Sequence, residues 1–361
     1  MSGKKLNLDN KIENIIENKI DKTPEKTTAQ AELLFNRLVK RYRHLRKWAR
    51  RIKTNAFRLY DRDIPEIPLV LDLYDNAVSG ALYKRPYEKD EAEEIIWLDA
   101  MTAAISNAIN IKCENIFLKT RERQSGKNQY GPLGKKNIWK DVCENNLKYR
   151  VNISDYLDTG LFPDARKKRN FLVNEAKDKC VLNLYSYTCS LSVAAAVGGA
   201  LCVDSVDMSN TYLDWGEVNF ALNGFSAQKS DGREFRYAKS EENTFTLIRS
   251  DVFPFLRKAS ENRVTWDLII LDPPAFSNSK KMRNDLDIKR DYKDLIQRCL
   301  SILNPGGRIL FSTHVRGFQM DEADFPRLKI EDITEKLRDE DFRGKRIPSC
   351  WEISPDKFLT Q

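Results

Sequence analysis

Strand-like and helix-like segments alternate through the second half of the chain, from residue 149 onward. Five short apolar segments carry a strand pattern: VLNLYSY, LCVDSVDMS, FTLIRSD, DLIILDPP and GGRILFST. Helix-like segments follow the first four, including one at 288–303. A further helix is predicted in DITEKLRDEDF and a closing strand in PSCWEISPD. Alternation of this kind favours an α/β fold with a doubly wound, mostly parallel sheet.

The fourth of these strands ends at an acid and two prolines, in the segment WDLIILDPPAFSNSKKM at 266–282. A run of Leu and Ile bounded so sharply is typical of a buried parallel strand. Pro273 and Pro274 cannot continue the ladder, so the chain turns away stiffly at the carboxyl end of the strand, where ligands of open α/β sheets bind. We therefore predict an active-site corner that holds a planar base beside a cofactor, although an ordinary Pro-Pro loop is the simpler interpretation. Its predicted catalytic residues are Asp272, Pro273, Pro274 and Phe276.

Acidic residues close three of the predicted strands: Asp207, Asp251 and Asp272. Asp207 follows Tyr187 by about 20 positions, the spacing at which an acid binds ribose hydroxyls in dinucleotide-binding folds. A carboxylate there accepts two hydroxyl hydrogen bonds. Dinucleotide sites also need a G-x-G-x-x-G turn that admits a pyrophosphate, but no glycine occurs between Asn183 and Ala196. The pattern therefore indicates a cofactor without phosphates, S-adenosylmethionine.

The composition favours an intracellular protein without metal or disulfide chemistry. The seven cysteines form no C-x-x-C pair, and the two histidines lie far apart, so neither a disulfide framework nor a metal site is predicted. No apolar run approaches the roughly 20 residues of a membrane helix, and the first residues show no secretion signal. We expect a cytoplasmic protein that binds no membrane. Its net charge of +8 favours nucleic acid only weakly.

Charge placement suggests an RNA-binding region ahead of the alternating segments. We predict a polar lead-in at 1–27 that is a weak helix or disordered, a basic helix with a small α+β domain at 28–148, and the α/β domain at 149–361. Apolar residues recur at three- and four-residue steps in the helix, and 40–58 contains no acid. Basic residues of the helix and of a later loop are candidate phosphate contacts, or else plain solvated surface. They are Arg46, Lys47, Arg50, Arg51, Arg121, Arg123 and Lys127.

Several motifs resemble those of a known family. RLVKRYRHLRKWARR, LKTRERQSGKNQY, VNISDYLDTGLFPDAR, LDPPAFSNSKKM and CWEIS are similar to the K half of the bacterial K/L methyltransferases of 23S ribosomal RNA. The resemblance implies a Rossmann-like class I methyltransferase domain behind a small α+β domain. It also implies methylation of guanosine N7 in 23S ribosomal RNA, or in a large-subunit precursor, with S-adenosylmethionine. Full-length relatives carry a second methyltransferase half, so we expect a standalone enzyme or one with a separate partner half.

The resemblance also implies a set of cofactor contacts, carried over by motif. They are Phe162, Asp164, Arg166, Asn183, Tyr185, Tyr187, Thr188, Ser190, Asp207, Met208, Ser209, Asp251, Val252 and Asp272. Family members usually have glycine where this chain has Cys189.

Methylation at guanine N7 needs no base, because that lone pair carries no proton. In this interpretation Asp272 offsets the charge on the methylated base and Phe276 stacks on it. Lys280, Lys281 and Arg316 then bind phosphates, unless they are ordinary surface charges. Cytosine C5 methylation needs a cysteine at the end of the next strand, where this chain has Thr313 and His314. Methylation of an exocyclic amine (guanine N2 or adenine N6) and a non-catalytic RNA-binding assembly factor stay open as alternatives.

Overall fold

The computed structural model describes residues 24–83, 90–121, 136–231, 243–277 and 286–356, without the side chains of Arg121, Phe276 and Ser277. The chain forms two compact units, one of Met1–Trp48 with Arg58–Arg123 and one of Ala49–Phe57 with Gln124–Gln361. None of the described helices is long and apolar enough to span a membrane. Over the same ranges, no group of His, Cys, Asp and Glu side chains could hold a metal ion.

The first unit combines two helices with a four-stranded sheet, of which only residues 49–51 and 56–57 belong to the second unit. Its elements are α1 (Glu25–Arg51), β1 (Ala56–Asp61), β2 (Leu69–Tyr74), β3 (Ala77–Tyr83), α2 (Glu91–Ile109) and β4 (Ile116–Arg121). The strands lie in the order β1-β2-β3-β4, with β2 and β3 antiparallel and β3 and β4 parallel. Leu34, Leu38 and Leu45 are buried along one stripe of α1, so its predicted apolar stripe is confirmed. The helix begins inside the predicted lead-in 1–27, of which residues 1–23 lie outside the described part of the chain.

The second unit is built around an eight-stranded sheet. Its elements are β5 (Trp139–Glu144), β6 (Leu147–Asn152), α3 (Arg166–Glu175), β7 (Cys180–Leu184), α4 (Ser190–Val197), β8 (Cys202–Asp207), α5 (Asn210–Leu222), β9 (Gln228–Ser230), β10 (Thr244–Arg249), α6 (Val252–Glu261), β11 (Trp266–Leu271), β12 (Phe276–Ser277), β13 (Leu286–Asp287), α7 (Ile288–Leu300), β14 (Leu303–Thr313), β15 (Leu328–Asp332) and β16 (Ser349–Pro355). The large sheet has the order β15-β16-β14-β11-β7-β8-β10-β9. Strands from β9 to β14 run parallel, while β16 lies antiparallel between β14 and β15. The predicted doubly wound, mostly parallel sheet is confirmed.

The two central strands, β7 and β11, are apolar on both faces. Val181, Leu182 and Leu184 of β7 are fully buried, as are residues 268–271 of β11. The helices α6 and α7 bury apolar residues in the same core, among them Phe255 and Leu295. Strands of a parallel sheet that are covered on both faces carry continuous apolar runs, which is why the DLIIL pattern predicted a central strand.

The chain order of the strands reverses between β7 and β11. From β7 the sheet grows through β8 and β10 on one side, and from β11 through β14 on the other. Ligands of open α/β sheets bind outside the carboxyl ends of the strands at such a reversal. Asp207, Asp251 and Asp272 follow the carboxyl ends of β8, β10 and β11. The fold therefore brings the three predicted acids to one edge of the sheet.

A buried ion-pair network ties the β5–β6 hairpin to α3. Glu144 accepts two hydrogen bonds from Arg169, at Nε and Nη2, both 2.6 Å long, and neither side chain is more than 1% exposed. Arg169 Nη2 also donates to the Phe162 carbonyl oxygen at 3.0 Å. Arg166 Nε lies 3.6 Å from Glu144, and its two Nη atoms donate to the carboxylate of Asp341 at 2.9 and 3.0 Å. The network fixes the loop that carries Phe162.

Two details differ from the sequence predictions. The predicted domain boundary after residue 148 lies within β6, which pairs along its whole length with β5. The segment DITEKLRDEDF contains two short 3-10 helices, Glu335–Leu337 and Glu340–Phe342, where a helix was predicted. Side chains of Asp332 and Asp339 accept nearby backbone N–H groups there. Aspartates that bind local backbone donors in this way compete with α-helix formation.

Candidate active site

The turn after β7 holds three non-glycine residues in left-handed conformations. Tyr185, Tyr187 and Cys189 have φ angles of 58°, 50° and 60°, a region that costs an L-residue about 1–2 kcal/mol. Asp207, at the tip of β8, stabilises this shape because its two oxygens accept hydrogen bonds from the backbone N–H groups of Tyr187 and Ser209, each at 2.9 Å. The carboxylate predicted to bind a ribose therefore also positions the turn.

A second loop, 160–165, closes on the same turn. The Thr188 hydroxyl donates to the Gly160 carbonyl oxygen at 2.6 Å, and Asn219 Nδ2 donates to the Thr188 carbonyl oxygen at 2.8 Å. Gly160 has a φ of +94°, and a Cβ there would lie 2.1 Å from the ring of Trp215. This close packing places Phe162 beside the turn: its ring centroid lies 5.5 Å from that of Tyr187.

Cys189 fits in the turn because the residue packed against it on α5 is Gly216. The cysteine side chain is fully buried. A Cβ at Gly216 would lie 2.5 Å from Cys189 Sγ and 3.0 Å from Cys189 Cβ. A glycine at position 189, as in the family pattern, would leave room for a larger residue at 216. The two positions are therefore sterically coupled.

We expect Gly216→Ala to destabilise the protein, because the added methyl group overpacks the space beside Cys189 at a cost of about 1–3 kcal/mol. Alanine is otherwise preferred over glycine in a helix by about 1 kcal/mol. The double variant Cys189→Gly/Gly216→Ala should therefore recover the stability that Gly216→Ala loses. Urea unfolding of both single variants and the double variant measures the coupling. If the two single effects simply add, the steric coupling is absent.

Three buried polar atoms at this edge have no hydrogen-bond partner among the described residues: Asp164 Oδ1, Asn183 Oδ1 and Tyr185 Oη. Asn183 uses only its amide nitrogen, which donates to Ser192 Oγ at 2.8 Å. Burial and then the nearby Asp251 raise the pKa of the Tyr185 phenol, so it stays protonated and able to donate. Buried polar groups are nearly always paired, so these atoms indicate a site for a polar ligand.

Aromatic rings line the exposed side of the same edge. The Phe162 side chain is 38% exposed, and its ring lies 6.2 Å from the His314 ring. Tyr187 also packs edge-on against Tyr212, with 4.5 Å between ring centroids. Partly exposed rings of this kind can cover the flat face of a heterocycle.

Asp272, at the tip of β11, is hydrogen-bonded on both oxygens. Lys168 Nζ donates to Oδ2 at 2.9 Å, and the Ser312 hydroxyl donates to Oδ1 at 2.5 Å. Lys168 Nζ also donates to Ser312 Oγ at 2.7 Å. Burial would raise the pKa of Asp272, but the charges of Lys168 and His314 and these hydrogen bonds hold it below its usual value. The charge of Asp272 is thus already balanced, whereas the sequence interpretation treated it as a free counter-charge for a cationic base.

The other two acids have different environments. Burial raises the pKa of Asp207 to about 6, although the backbone N–H groups of Ser209, Tyr187 and Met208 lower it. Asp251 caps α6, accepting a hydrogen bond from Phe253 N at 3.0 Å. The edge therefore combines one carboxylate that is hard to ionise, one helix cap and one ion-paired carboxylate.

The remaining predicted cofactor residues have three different environments. Ser190, Met208 and Ser209 are half-buried at the starts of α4 and α5. Val252 is buried in the core at the start of α6. Arg166 donates to Asp341 and to the Ala56 carbonyl oxygen, the latter at 2.8 Å, so the structure gives its guanidinium a structural role. A cofactor contact by Arg166 stays a prediction.

The described candidates for RNA contact are exposed. Arg46, Lys47, Arg50 and Arg51 lie on the solvent side of α1. The Arg46 guanidinium sits 5.6 Å from the ring of Tyr42, beside a groove of about 420 Å³ in the first unit. Arg316 is exposed in the second unit. Outside the described residues lie Arg123, Lys127, Lys280 and Lys281, and of Arg121 and Phe276 only the backbone is described.

Three residues near this edge were not predicted: Lys168, Ser312 and Arg346. Arg346 Nη2 donates to the His314 carbonyl oxygen at 2.7 Å. Burial and then the charge of Arg316 lower the pKa of Arg346, so two guanidinium groups lie close together. No sequence signal identifies these residues, because they join the site only through contacts between distant parts of the chain.

A model of the S-adenosylmethionine-dependent methyltransferase family matches residues 57–323. A relative from Neisseria meningitidis serogroup B, ribosomal RNA large subunit methyltransferase K, is 41% identical over 318 residues, which cover 88% of this chain and 86% of the relative. Ribosomal RNA large subunit methyltransferase K/L from Pseudomonas entomophila is 40% identical over 91% of this chain. The chain spans only 43% of the length of that K/L relative.

Solved structures share the fold. The crystal structure of a putative methyltransferase complexed with SAH has a TM-score of 0.66 and 24% identity, and the match covers 90% of this chain and 81% of the other. At this level of identity the likeness concerns the fold alone.

Proposed function

We propose that this chain, which belongs to the S-adenosylmethionine-dependent methyltransferase family, methylates large-subunit ribosomal RNA at guanosine N7. Its cofactor is S-adenosylmethionine. When bound, this cofactor would supply a methyl group to the N7 lone pair, with the electron pair of the broken carbon–sulfur bond staying on sulfur and no proton released. The residues of the chain must then bind, align and desolvate the two reactants.

The orphaned polar atoms at the sheet edge fit this cofactor. Tyr185 Oη can donate, and the free oxygens of Asp164 and Asn183 can accept, so together they suit a ligand that carries both amines and hydroxyls. Asp207 would bind the ribose hydroxyls, and Phe162 would cover the adenine ring. The left-handed turn leaves no place for a pyrophosphate-binding glycine loop, which agrees with a cofactor without phosphates.

The hydrogen bonding of Asp272 is the observation that favours N7 over the other candidate target atoms. Both of its oxygens already accept hydrogen bonds, from Lys168 and Ser312. Although burial would raise the pKa of Asp272, the charge of Lys168 and these hydrogen bonds hold it below its usual value, so the carboxylate is a poor base for removing a proton from an exocyclic amine. This favours a nucleophile that has no proton to give up. Thr313 and His314 follow at the end of β14, where a covalent cytosine C5 mechanism would need a cysteine. Phe276, whose backbone starts β12 beside the proline corner, would stack on the target base.

Ribosomal RNA is proposed as the substrate because the relatives named for it match almost the whole chain. The exposed basic face of α1 and the pair of Arg316 and Arg346 would bind the backbone phosphates. A separate partner methyltransferase half is part of the same proposal, since K/L relatives extend well beyond the region that this chain covers.

Mass spectrometry of nucleosides tests the proposal. Purified protein and isotope-labelled S-adenosylmethionine are incubated with large-subunit ribosomal RNA from cells that lack this gene. We expect labelled 7-methylguanosine among the nucleosides released from this RNA. Labelled N2-methylguanosine or N6-methyladenosine would instead show that the enzyme methylates an exocyclic amine and not N7. Cofactor binding without any transfer, to either naked RNA or precursor particles, would leave the assembly-factor alternative.

A further inference from the structure

The contact between Lys168 and Asp272 is a buried ion pair at the active edge of the sheet. Lys168 comes from the first turn of α3 and Asp272 from the tip of β11, 104 positions later in the chain. The Lys168 side chain is 4% exposed, while the Asp272 side chain is 21% exposed. The lysine therefore approaches the carboxylate from the protein interior and leaves its outer side accessible to a ligand.

Ser312 hydrogen-bonds to both partners of this ion pair. Its hydroxyl donates to Asp272 Oδ1 and accepts from Lys168 Nζ, at 2.5 and 2.7 Å. A hydroxyl that donates and accepts at once has a fixed orientation, and charge-assisted hydrogen bonds on both carboxylate oxygens remove their rotational freedom. The residue that leads into the rigid Pro273-Pro274 corner is thus held in one position.

Titratable groups from several segments of the chain surround the ion pair. His314, after β14, faces Asp272, and its charge lowers the pKa of that carboxyl group. Burial would lower the pKa of Lys168, but Asp272, Cys350 of β16 and Asp164 raise it, with Asp272 the strongest of the three. Both partners of the ion pair are therefore charged at neutral pH. Without Lys168, the buried carboxylate would lose its main opposite charge, and desolvation would raise its pKa.

We propose that Lys168 is a positioning residue for methyl transfer, which together with Ser312 keeps the Asp272 carboxylate ionised and in a fixed orientation beside the bound cofactor and the target base. This inference rests on the proposed function for its catalytic readout. It also makes a statement about cofactor binding that does not require an RNA substrate.

The test compares Lys168→Met, Lys168→Arg and the matched control Lys167→Met, which changes the neighbouring half-buried lysine of α3. Binding of S-adenosylmethionine by calorimetry and single-turnover methyl transfer to ribosomal RNA are both measured from pH 5.5 to 8.5. The wild-type protein, Lys168→Arg and Lys167→Met should share one profile, which is flat above pH 6 and shows below it only the fall that Asp207 causes. Lys168→Met should lose affinity and rate toward acid pH, by about tenfold per pH unit below the raised pKa of Asp272.

Two further variants test whether Asp272 and Ser312 have the roles that the proposal gives them. Asp272→Asn in the Lys168→Met background should abolish the acid loss that exceeds the wild-type fall, because the Asp272 carboxyl group is gone. Ser312→Ala, a milder change, should lower the transfer rate with little effect on the profile, and it replaces Lys168→Met if that variant does not fold. A wild-type pH profile for Lys168→Met, or a wild-type rate for Ser312→Ala, would overturn the proposal. If the wild-type protein binds the cofactor but methylates no ribosomal RNA, the proposed function fails, and the binding profiles alone decide the role of Lys168.

Discussion

Glu144→Gln should lower the free energy of unfolding by about 3–5 kcal/mol, the usual cost of removing one partner of a buried ion pair. Glu144 accepts both hydrogen bonds of Arg169 at 2.6 Å, and Arg166 approaches it to 3.6 Å. A neutral amide in its place would leave the Arg169 guanidinium buried without an opposite charge and would present a donor to it. Urea unfolding followed by tryptophan fluorescence measures the change.

Glu175→Gln is the matched control for this prediction. Glu175 pairs with Arg308, but its side chain is 39% exposed, and partly exposed ion pairs contribute about 0–1 kcal/mol. The loop that carries Phe162 should also loosen in Glu144→Gln, since Arg169 holds the Phe162 carbonyl oxygen. Equal losses of stability in the two variants would mean that burial does not strengthen the role of Glu144.

Asp207→Ala should weaken S-adenosylmethionine binding by at least about a hundredfold, because hydrogen bonds to charged groups contribute about 1.5–3 kcal/mol each. The substitution removes the proposed ribose contact and also the acceptor for the N–H groups of Tyr187 and Ser209. Calorimetry measures the affinity. Asp214→Ala, which changes an exposed acid of α5 that pairs with Lys229, should leave it unchanged. If the affinity of Asp207→Ala stays within a few-fold of wild type, the Asp207 carboxylate does not bind the cofactor.

The pH dependence of cofactor binding should follow Asp207. Burial raises its pKa to about 6 in the folded protein without cofactor, above the value of about 3.9 for an unfolded chain. Its contribution to stability is thus complete below pH 3.9 and is lost as pH rises through 6. Cofactor affinity should depend on pH in the opposite direction, because the ribose hydroxyls donate hydrogen bonds to the ionised carboxylate. The affinity should therefore fall below pH 6. Asp207→Asn should lose this dependence.

The sequence predicted the sheet and the edge where the site lies because both follow from local patterns. Apolar runs that end at an acid, as at Asp207 and Asp272, define strand tips, and parallel strands bring their tips to one edge. The β7 turn could not be predicted in detail. Its three left-handed residues are two tyrosines and a cysteine, whereas local rules assign that conformation to glycine or asparagine.

Contacts between distant segments account for what the sequence did not predict. Lys168 lies in a basic run that local rules assign to a solvated helix face, yet it is buried against Asp272. The fit of Cys189 against Gly216 depends on the distance between a turn and a helix, which no pattern within either segment contains. Because β5 pairs with β6, the second unit likewise begins earlier in the chain than the predicted boundary at residue 148.

The position of β16 has a consequence for synthesis on the ribosome. This strand, at 349–355, is the last described one, yet it lies between β14 and β15, and the second unit also includes residues 49–57. A nascent chain that stops short of β16 leaves one edge of the buried strand β14 unpaired, and an unpaired strand edge invites pairing with other chains. The sheet of the second unit can therefore close only after residues 349–355 have left the exit tunnel, and shorter nascent chains are prone to aggregate until then.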